Sequence, residues 1–140
     1  MSNTFEILTR GRSPFNGDWY EGDVSYHRNG SVSIHPRENN VTGTGYYVEK
    51  ETVSPYVQRT DKNGKNVFLG DICRYEEGCF FVGYYDEDGS FTIDGRGAEF
   101  LPDKETFASE IEVIGNIWDN PEEYKKILAF YENRERKEAI

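Results

Sequence analysis

Two cysteines and two histidines are all that this 140-residue chain carries in the way of thiols and imidazoles. Cys73 and Cys79 are too few for a disulfide framework, and the start MSNTFEILTRGRS lacks the basic stretch and apolar core of a secretory leader, so free thiols in a reducing compartment are expected. The step from Cys73 to Cys79 is not that of a zinc knuckle, and His27 and His35 add no short pair, so no metal is expected. The acidic turn around Asp86 and Asp88 lacks the third ligand and terminal glutamate of a calcium loop. No glycine motif that cradles phosphate is present, and no run approaches the roughly 20 apolar residues of a membrane span. Nucleophilic catalysis needs an activated Ser or Cys beside a base. One histidine falls in a predicted strand and the other beside Pro36, while 26 acidic residues make any chosen carboxylate pair uninformative. No catalytic residue and no cofactor are assigned.

What the chain has in quantity is aromatic residues and acid. Aromatic side chains make up 15% of the residues, which favours strands and a packed core over disorder. The net charge is −10 and unevenly spread: residues 70 to 124 hold 15 acidic and 3 basic side chains, whereas residues 1 to 69 hold 8 of each. An acidic middle repels phosphate backbones, so nucleic acid is not expected there. Glu76, Glu77, Asp86, Glu87 and Asp88 form a candidate acidic face, read either as a solvated surface or as a docking face for a basic partner.

A spacing of 48 residues aligns WYEGDVSYHRNGSVSI with VFLGDICRYEEGCFFV, matching Gly22 and Asp23 with Gly70 and Asp71, and Gly30 with Gly78. Two short hairpins can converge on such a pattern without duplication. In the first copy, a three-residue loop of Arg28, Asn29 and a left-handed Gly30 pairs Tyr26 with Val32 and Val24 with Ile34, giving one apolar face. The same loop in the second copy, Glu76, Glu77 and Gly78, pairs Ile72 with Val82 and Arg74 with Phe80, with both faces covered. Cys73 and Cys79 then lie diagonally on one face, too far apart to bridge. Asp23 and Asp71 are expected to cap turns by accepting backbone amides, and Asp61 with Gly64 has the composition of a tight turn.

Further along, a turn at Asp86 to Gly89 makes a three-stranded meander, Asp103 caps a short helix through Glu110, and residues 111 to 118 read as a buried strand. The strongest helix runs over about 121 to 136, with Asn120 as cap, Pro121 first and Glu123 completing a capping box. Tyr124, Ile127, Leu128 and Tyr131 supply its core stripe.

The segments ETVSPY (51 to 56), DKNGK (61 to 65), GDI (70 to 72) and EVIGNIWDNPE (112 to 122), with WYEGD (19 to 23), resemble the YopX family of bacteriophage and prophage proteins. This chain has Val57, Gln58 and Arg59 where the family places Thr-Gly-Leu, and Leu69 where it places Glu. The resemblance implies a phage origin, a bacterial cytoplasmic setting and a mostly β fold with terminal helical structure, and it transfers no activity. The expected architecture is a single α+β, predominantly β domain over residues 1 to 140. In it two hairpin-based lobes, with pseudo-repeats at 17 to 35 and 65 to 83, are SH3-like and share a core closed by the C-terminal helix. The expected function is non-enzymatic: an accessory protein that binds a host or phage protein, or itself as a homo-oligomer, with no membrane role. One alternative is nucleic-acid binding through Arg10, Arg12, Arg28 and Arg37 with Trp19 and Tyr20; another is a small hydrolase using His27 or His35.

Overall fold

Alternating apolar positions and glycine-closed turns give eleven strands and two α-helices in the computed structural model, which describes residues 5–37, 45–97 and 99–138. The chain divides into two compact units, Met1–Tyr56 and Val57–Ile140. Each has its own apolar cluster, where the sequence reading expected a shared core. No helix among the described residues is long and apolar enough to cross a membrane.

The first unit holds β1 (Thr9–Arg12), β2 (Trp19–Tyr26), β3 (Val32–His35), β4 (Tyr46–Val48), a 3-10 turn (Lys50–Thr52) and the start of β5 (Ser54–Thr60). These strands run antiparallel in the order β4-β3-β2-β1-β5. The β2–β3 loop is the expected one: Gly30 N–H donates to His27 O at 3.0 Å, His27 N–H donates to Ser31 O at 2.9 Å, and Gly30 has φ of 89°. A bulge of this kind needs a residue without Cβ strain at positive φ, which is why glycine stands there. Val24 pairs with Ile34 and Tyr26 with Val32, as read from the alternation. Val32, Ile34 and Val48 form the buried cluster, with Tyr20, Val24 and Val53 packed on it. Thr52, fully buried, accepts from Arg12 N–H at 2.9 Å and donates to Glu49 O at 2.7 Å, and the Ser54 hydroxyl donates to Thr52 O at 2.9 Å, so Thr52 and Ser54 of ETVSPY are internal hydrogen-bonders.

Gly22 and Asp23 do not form a turn. Both lie inside β2, opposite Thr9 and His35 respectively, and a Cβ on Gly22 would stand 2.1 Å from the His35 carbonyl oxygen. Their counterparts behave differently. Gly70, at φ of 91°, donates to Val82 O at 2.8 Å while Val82 N–H donates to Asp71 O at 2.8 Å, a glycine bulge at the entry of β7 (Asp71–Tyr75). Asp71 accepts from Phe68 N–H at 2.8 Å, as expected of a capping aspartate. The 48-residue match therefore aligns residues in unlike conformations.

In the second unit β5 continues to its neighbour β6 (Asn66–Phe68), and β7 lies between β8 (Gly78–Phe81) and β11 (Glu112–Asn116). The register of β7 with β8 is one residue off the expected one: Ile72 faces Phe81, Cys73 faces Phe80 and Tyr75 faces Gly78. The turn has two residues, with Glu76 rather than Gly78 left-handed at φ of 56°. The cause is burial on both faces: Ile72, Cys73, Phe80 and Phe81 are all buried, so alternation does not distinguish the two registers. The slip puts Cys73 and Cys79 on opposite faces, and both are free thiols.

β9 (Gly83–Tyr85) and β10 (Ser90–Thr92) form a separate two-stranded sheet, so the expected meander breaks at Val82. Phe80 meets Phe107 of α1 (Lys104–Glu110) edge-on at 6.1 Å, and Phe81 meets Tyr124 of α2 (Pro121–Glu138) at 5.0 Å. Successive strand residues point to opposite faces, so the two helices cover the two sides of this hairpin. Asp103 caps α1 by accepting from Thr106 N–H at 2.8 Å, and Ile127 and Tyr131 of α2 reach the core as expected. Asn120 does not act through a capping box. Its backbone carbonyl accepts from Tyr124 N–H, but its side chain accepts from Asn116 N–H at 3.1 Å, and its own N–H donates back to Asn116 O at 2.9 Å. Glu123 pairs instead with Lys126.

Asp61 joins these parts. One carboxylate oxygen accepts from Asn63 and Lys65 N–H, each at 2.9 Å, and closes the β5–β6 turn with left-handed Gly64. The other accepts from Val113 N–H of β11 at 2.9 Å, beside a bond from Lys62 N–H to Ile111 O. Only 3% of Asp61 is exposed, so water does not replace a lost bond. Asp61→Asn sets an amide N–H₂ against Val113 N–H; the expected loss is about 2 kcal/mol in urea unfolding, and a loss within experimental error would refute this role. Gln58 has φ of 65°, where the family resemblance places glycine. Gln58→Gly is expected to raise stability by roughly 1 kcal/mol, because an L-residue carries about that cost in this backbone region.

Candidate functional site

A cleft of about 270 Å³ opens in the second unit, lined by Tyr75 from β7, Gly78, Cys79 and Phe80 from β8, Phe100 and Pro102 before α1, and Phe130 and Tyr131 from α2. Its wall is aromatic because β8 is an edge strand and α2 sends Phe130 and Tyr131 toward it. Phe100 and Phe130 remain 66% and 60% exposed, so their rings serve the opening more than the core. Glu99 and Arg134 close one end with an ion pair of 3.2 Å.

Acidic side chains outnumber basic ones among the charges that act on the two cleft tyrosines. The Tyr75 hydroxyl is held above the ordinary tyrosine range, first by partial desolvation and then by Glu110, Glu76 and Asp103. The Tyr131 hydroxyl is raised by burial, with Asp94 and Glu99 adding to it. Carboxylates therefore act on both tyrosine hydroxyls of the wall, with Arg134 opposing them at Tyr131.

Of the candidate acidic face, only Glu76 is among these carboxylates. Glu76 and Glu77 make the β7–β8 turn, whereas Asp86, Glu87 and Asp88 belong to the β9–β10 turn in a different sheet. Asp88 is occupied locally, accepting from the Ser90 N–H at 3.0 Å and its hydroxyl at 2.6 Å, and Glu87 accepts from the Tyr85 hydroxyl. The other carboxylates acting on the cleft tyrosines are Asp94 and Glu99, which the sequence reading did not name, and Asp103 and Glu110, which it named only as the bounds of a short helix. They come from loops and from the two ends of α1, and no local pattern marks them as neighbours of the cleft.

The residues of the nucleic-acid alternative are committed elsewhere. Arg10 is buried, 4.5 Å over the Trp19 ring, and Arg12 pairs with Glu49 at 2.5 Å. Arg37 binds Asp23 at 2.7 Å and also donates to the Ile7 carbonyl, and Tyr20 stacks flat on Tyr46 at 4.2 Å. Arg28 alone of the four stands in an exposed turn. The two histidines do meet. His27 Nε2 lies 2.8 Å, and His35 Nε2 3.3 Å, from the hydroxyl of Ser33, which is 4% exposed. Among the described residues no group of three or more His, Cys, Asp or Glu converges as metal ligands.

Antiparallel sheets, a hairpin held between two helices and the turns at Asp61 and Gly70 define a β-rich α+β protein in which DKNGK, GDI and EVIGNIWDNPE interlock. The chain belongs to the YopX family: a family model described as YopX protein matches residues 14–124. The curated proteins include no significant match. The matched span holds the Asp61 linkage and ends in the first turn of α2, so Phe130, Tyr131 and Arg134 of the cleft lie beyond it.

Three carboxyls are held below the ordinary range: Asp23 by its bond from Arg37, Asp103 by the Thr106 amide, and Glu112 by Arg74 at 2.7 Å. A lowered carboxyl stabilises the fold fully above its unfolded value, near pH 4, and that contribution is lost as pH falls through the folded value. Arg74→Gln is therefore expected to return Glu112 to the ordinary range in an NMR titration, with Asp103 unmoved. An unchanged Glu112 would contradict the assignment.

Proposed function

We propose that the chain is a non-enzymatic, phage-associated binding module of the bacterial cytoplasm. Its aromatic cleft takes an apolar side chain from a basic segment of a partner protein. The observation that carries this reading is the exposed aromatic opening, with a majority of acidic side chains acting on Tyr75 and Tyr131 beside it. The family membership is consistent with a phage-associated protein. Charge complementarity selects the partner: Val57–Ile140 carries 19 acidic and 11 basic residues, which disfavours an acidic ligand and speeds encounter with a basic one. An aromatic or aliphatic anchor in a desolvated pocket, flanked by Lys or Arg on the rim, is the arrangement that concentrates binding energy in few residues. Support for a non-enzymatic role is that neither imidazole lines this cleft.

The test uses two synthetic peptides with the same central Phe, one flanked by Lys and Arg and the other by Glu, in fluorescence anisotropy with the full chain. The basic peptide is expected to bind in a salt-sensitive manner. Phe130→Ala, at a mostly exposed position and with its fold checked by circular dichroism, is expected to weaken binding about tenfold. Equal affinity for both peptides, or no effect of Phe130→Ala, overturns the proposal.

A further inference from the structure

The two imidazoles of the chain stand on one face of the first unit because of the register that Gly30 sets. Strand alternation places Ser25, Ser33 and His35 on the side opposite Val24, Val32 and Ile34, and the bulge carries His27 onto that same side beyond Tyr26. Tyr47, paired with Ser33 across β3 and β4, meets the His27 ring edge-on at 6.1 Å. His35 is fixed more tightly: Gly45 lies directly against its ring, where a Cβ would come 2.6 Å from Cε1. His27 is exposed at the strand end.

Both Nε2 atoms aim at a single hydroxyl. Their distances to Ser33 Oγ are 2.8 and 3.3 Å, so the two nitrogens lie within about 6 Å of each other, the two distances laid end to end. A hydroxyl has one proton, so it donates to one imidazole only, and the other must present N–H to the oxygen. A cation that accepts a lone pair from each ring lifts that restriction and lets both imidazoles take the tautomer with a bare Nε2.

The geometry points to a bis-imidazole site for a divalent transition metal on the outer face of this sheet, with His35 as the fixed ligand and His27 as the arm that closes on it. Metal–nitrogen bonds of about 2.0–2.1 Å require the two nitrogens to approach to roughly 3–4 Å. That is a side-chain rotation at an exposed strand end, with no change in the sheet. Two imidazoles without a thiolate select copper, nickel or zinc over calcium or magnesium, and the usual affinity order puts Cu²⁺ first. The remaining coordination positions are left to water or to a donor from another molecule, reached from the side of the exposed His27. Asp23, on the same face, is engaged with Arg37 and is not a ligand in this arrangement.

The experiment is titration of the untagged full chain with Cu²⁺ and with Zn²⁺ by calorimetry, with electron paramagnetic resonance of the copper form. Binding of one Cu²⁺ with hyperfine structure from two nitrogens is expected, with Zn²⁺ weaker and both lost on acidification as protons compete for the lone pairs. His27→Ala and His35→Ala are each expected to lower Cu²⁺ affinity at least tenfold. Ser33→Ala, which removes the competing hydroxyl and keeps both rings, is expected to bind at least as tightly as the unaltered chain. No Cu²⁺ binding, an oxygen-only spectrum with affinity unchanged in the histidine variants, or loss of binding in Ser33→Ala overturns the assignment. Circular dichroism of each variant separates a lost ligand from a lost fold.

Discussion

The second unit depends on a single carboxylate. Asp61 serves its own turn with one oxygen and β11 with the other, and those two halves of the bond set lie 52 residues apart in sequence. With β11 anchored at Val113, its pairing with β7 brings Asn116 opposite Asp71 and the following loop onto the Gly70 bulge. Ile117 N–H donates to Gly70 O at 2.9 Å, and Asn116 then organises the chain into α2 by accepting from Trp118 and Asp119. Turn, strand and helix start are thus linked by polar contacts whose burial makes each one costly to lose. Three of the shared segments of the family resemblance, DKNGK, GDI and EVIGNIWDNPE, are the parts of this linkage, a physical reason for their occurring together.

The two hairpins show where sequence patterning is informative. Around Asn29 and Gly30 one face is apolar and the other polar, so only one register buries Val24, Val32 and Ile34 together, and the alternation identifies it. Around Glu77 both faces are apolar, and a shift by one residue exchanges one buried set for another of similar character. The choice there falls to turn and bulge: Glu76 accepts a left-handed backbone, and the Gly70 bulge takes up the displaced residue. The start of α2 fails for a related reason. Asn120 and Glu123 have the composition of a capping box, but an equally good donor, the Asn116 amide, stands one loop away and takes the asparagine oxygen.

Neither site was legible in the same degree. The cleft draws on β7, β8, the segment before α1 and the far half of α2, and the carboxylates near it sit at element ends, so no local motif describes it. Its existence follows from helix placement, which composition does not encode at the level of single residues. The meeting of His27, Ser33 and His35 is different. It follows from the β2–β3 register alone, once the odd-numbered positions are followed across the bulge. Looking for the short spacings of contiguous metal motifs passes over it, because strand neighbours are close in space at separations that depend on the turn.

Trp118 lies so close to Gly70 that a Cβ there would come 2.6 Å from its ring, while the other tryptophan, Trp19, sits beneath the Arg10 guanidinium in the first unit. Each compact unit consequently carries one indole, in contrasting surroundings: a packed backbone in one and a cation in the other. Replacing either ring by phenylalanine leaves a chain whose fluorescence follows a single unit, so the order in which the two halves lose structure is readable without any added label.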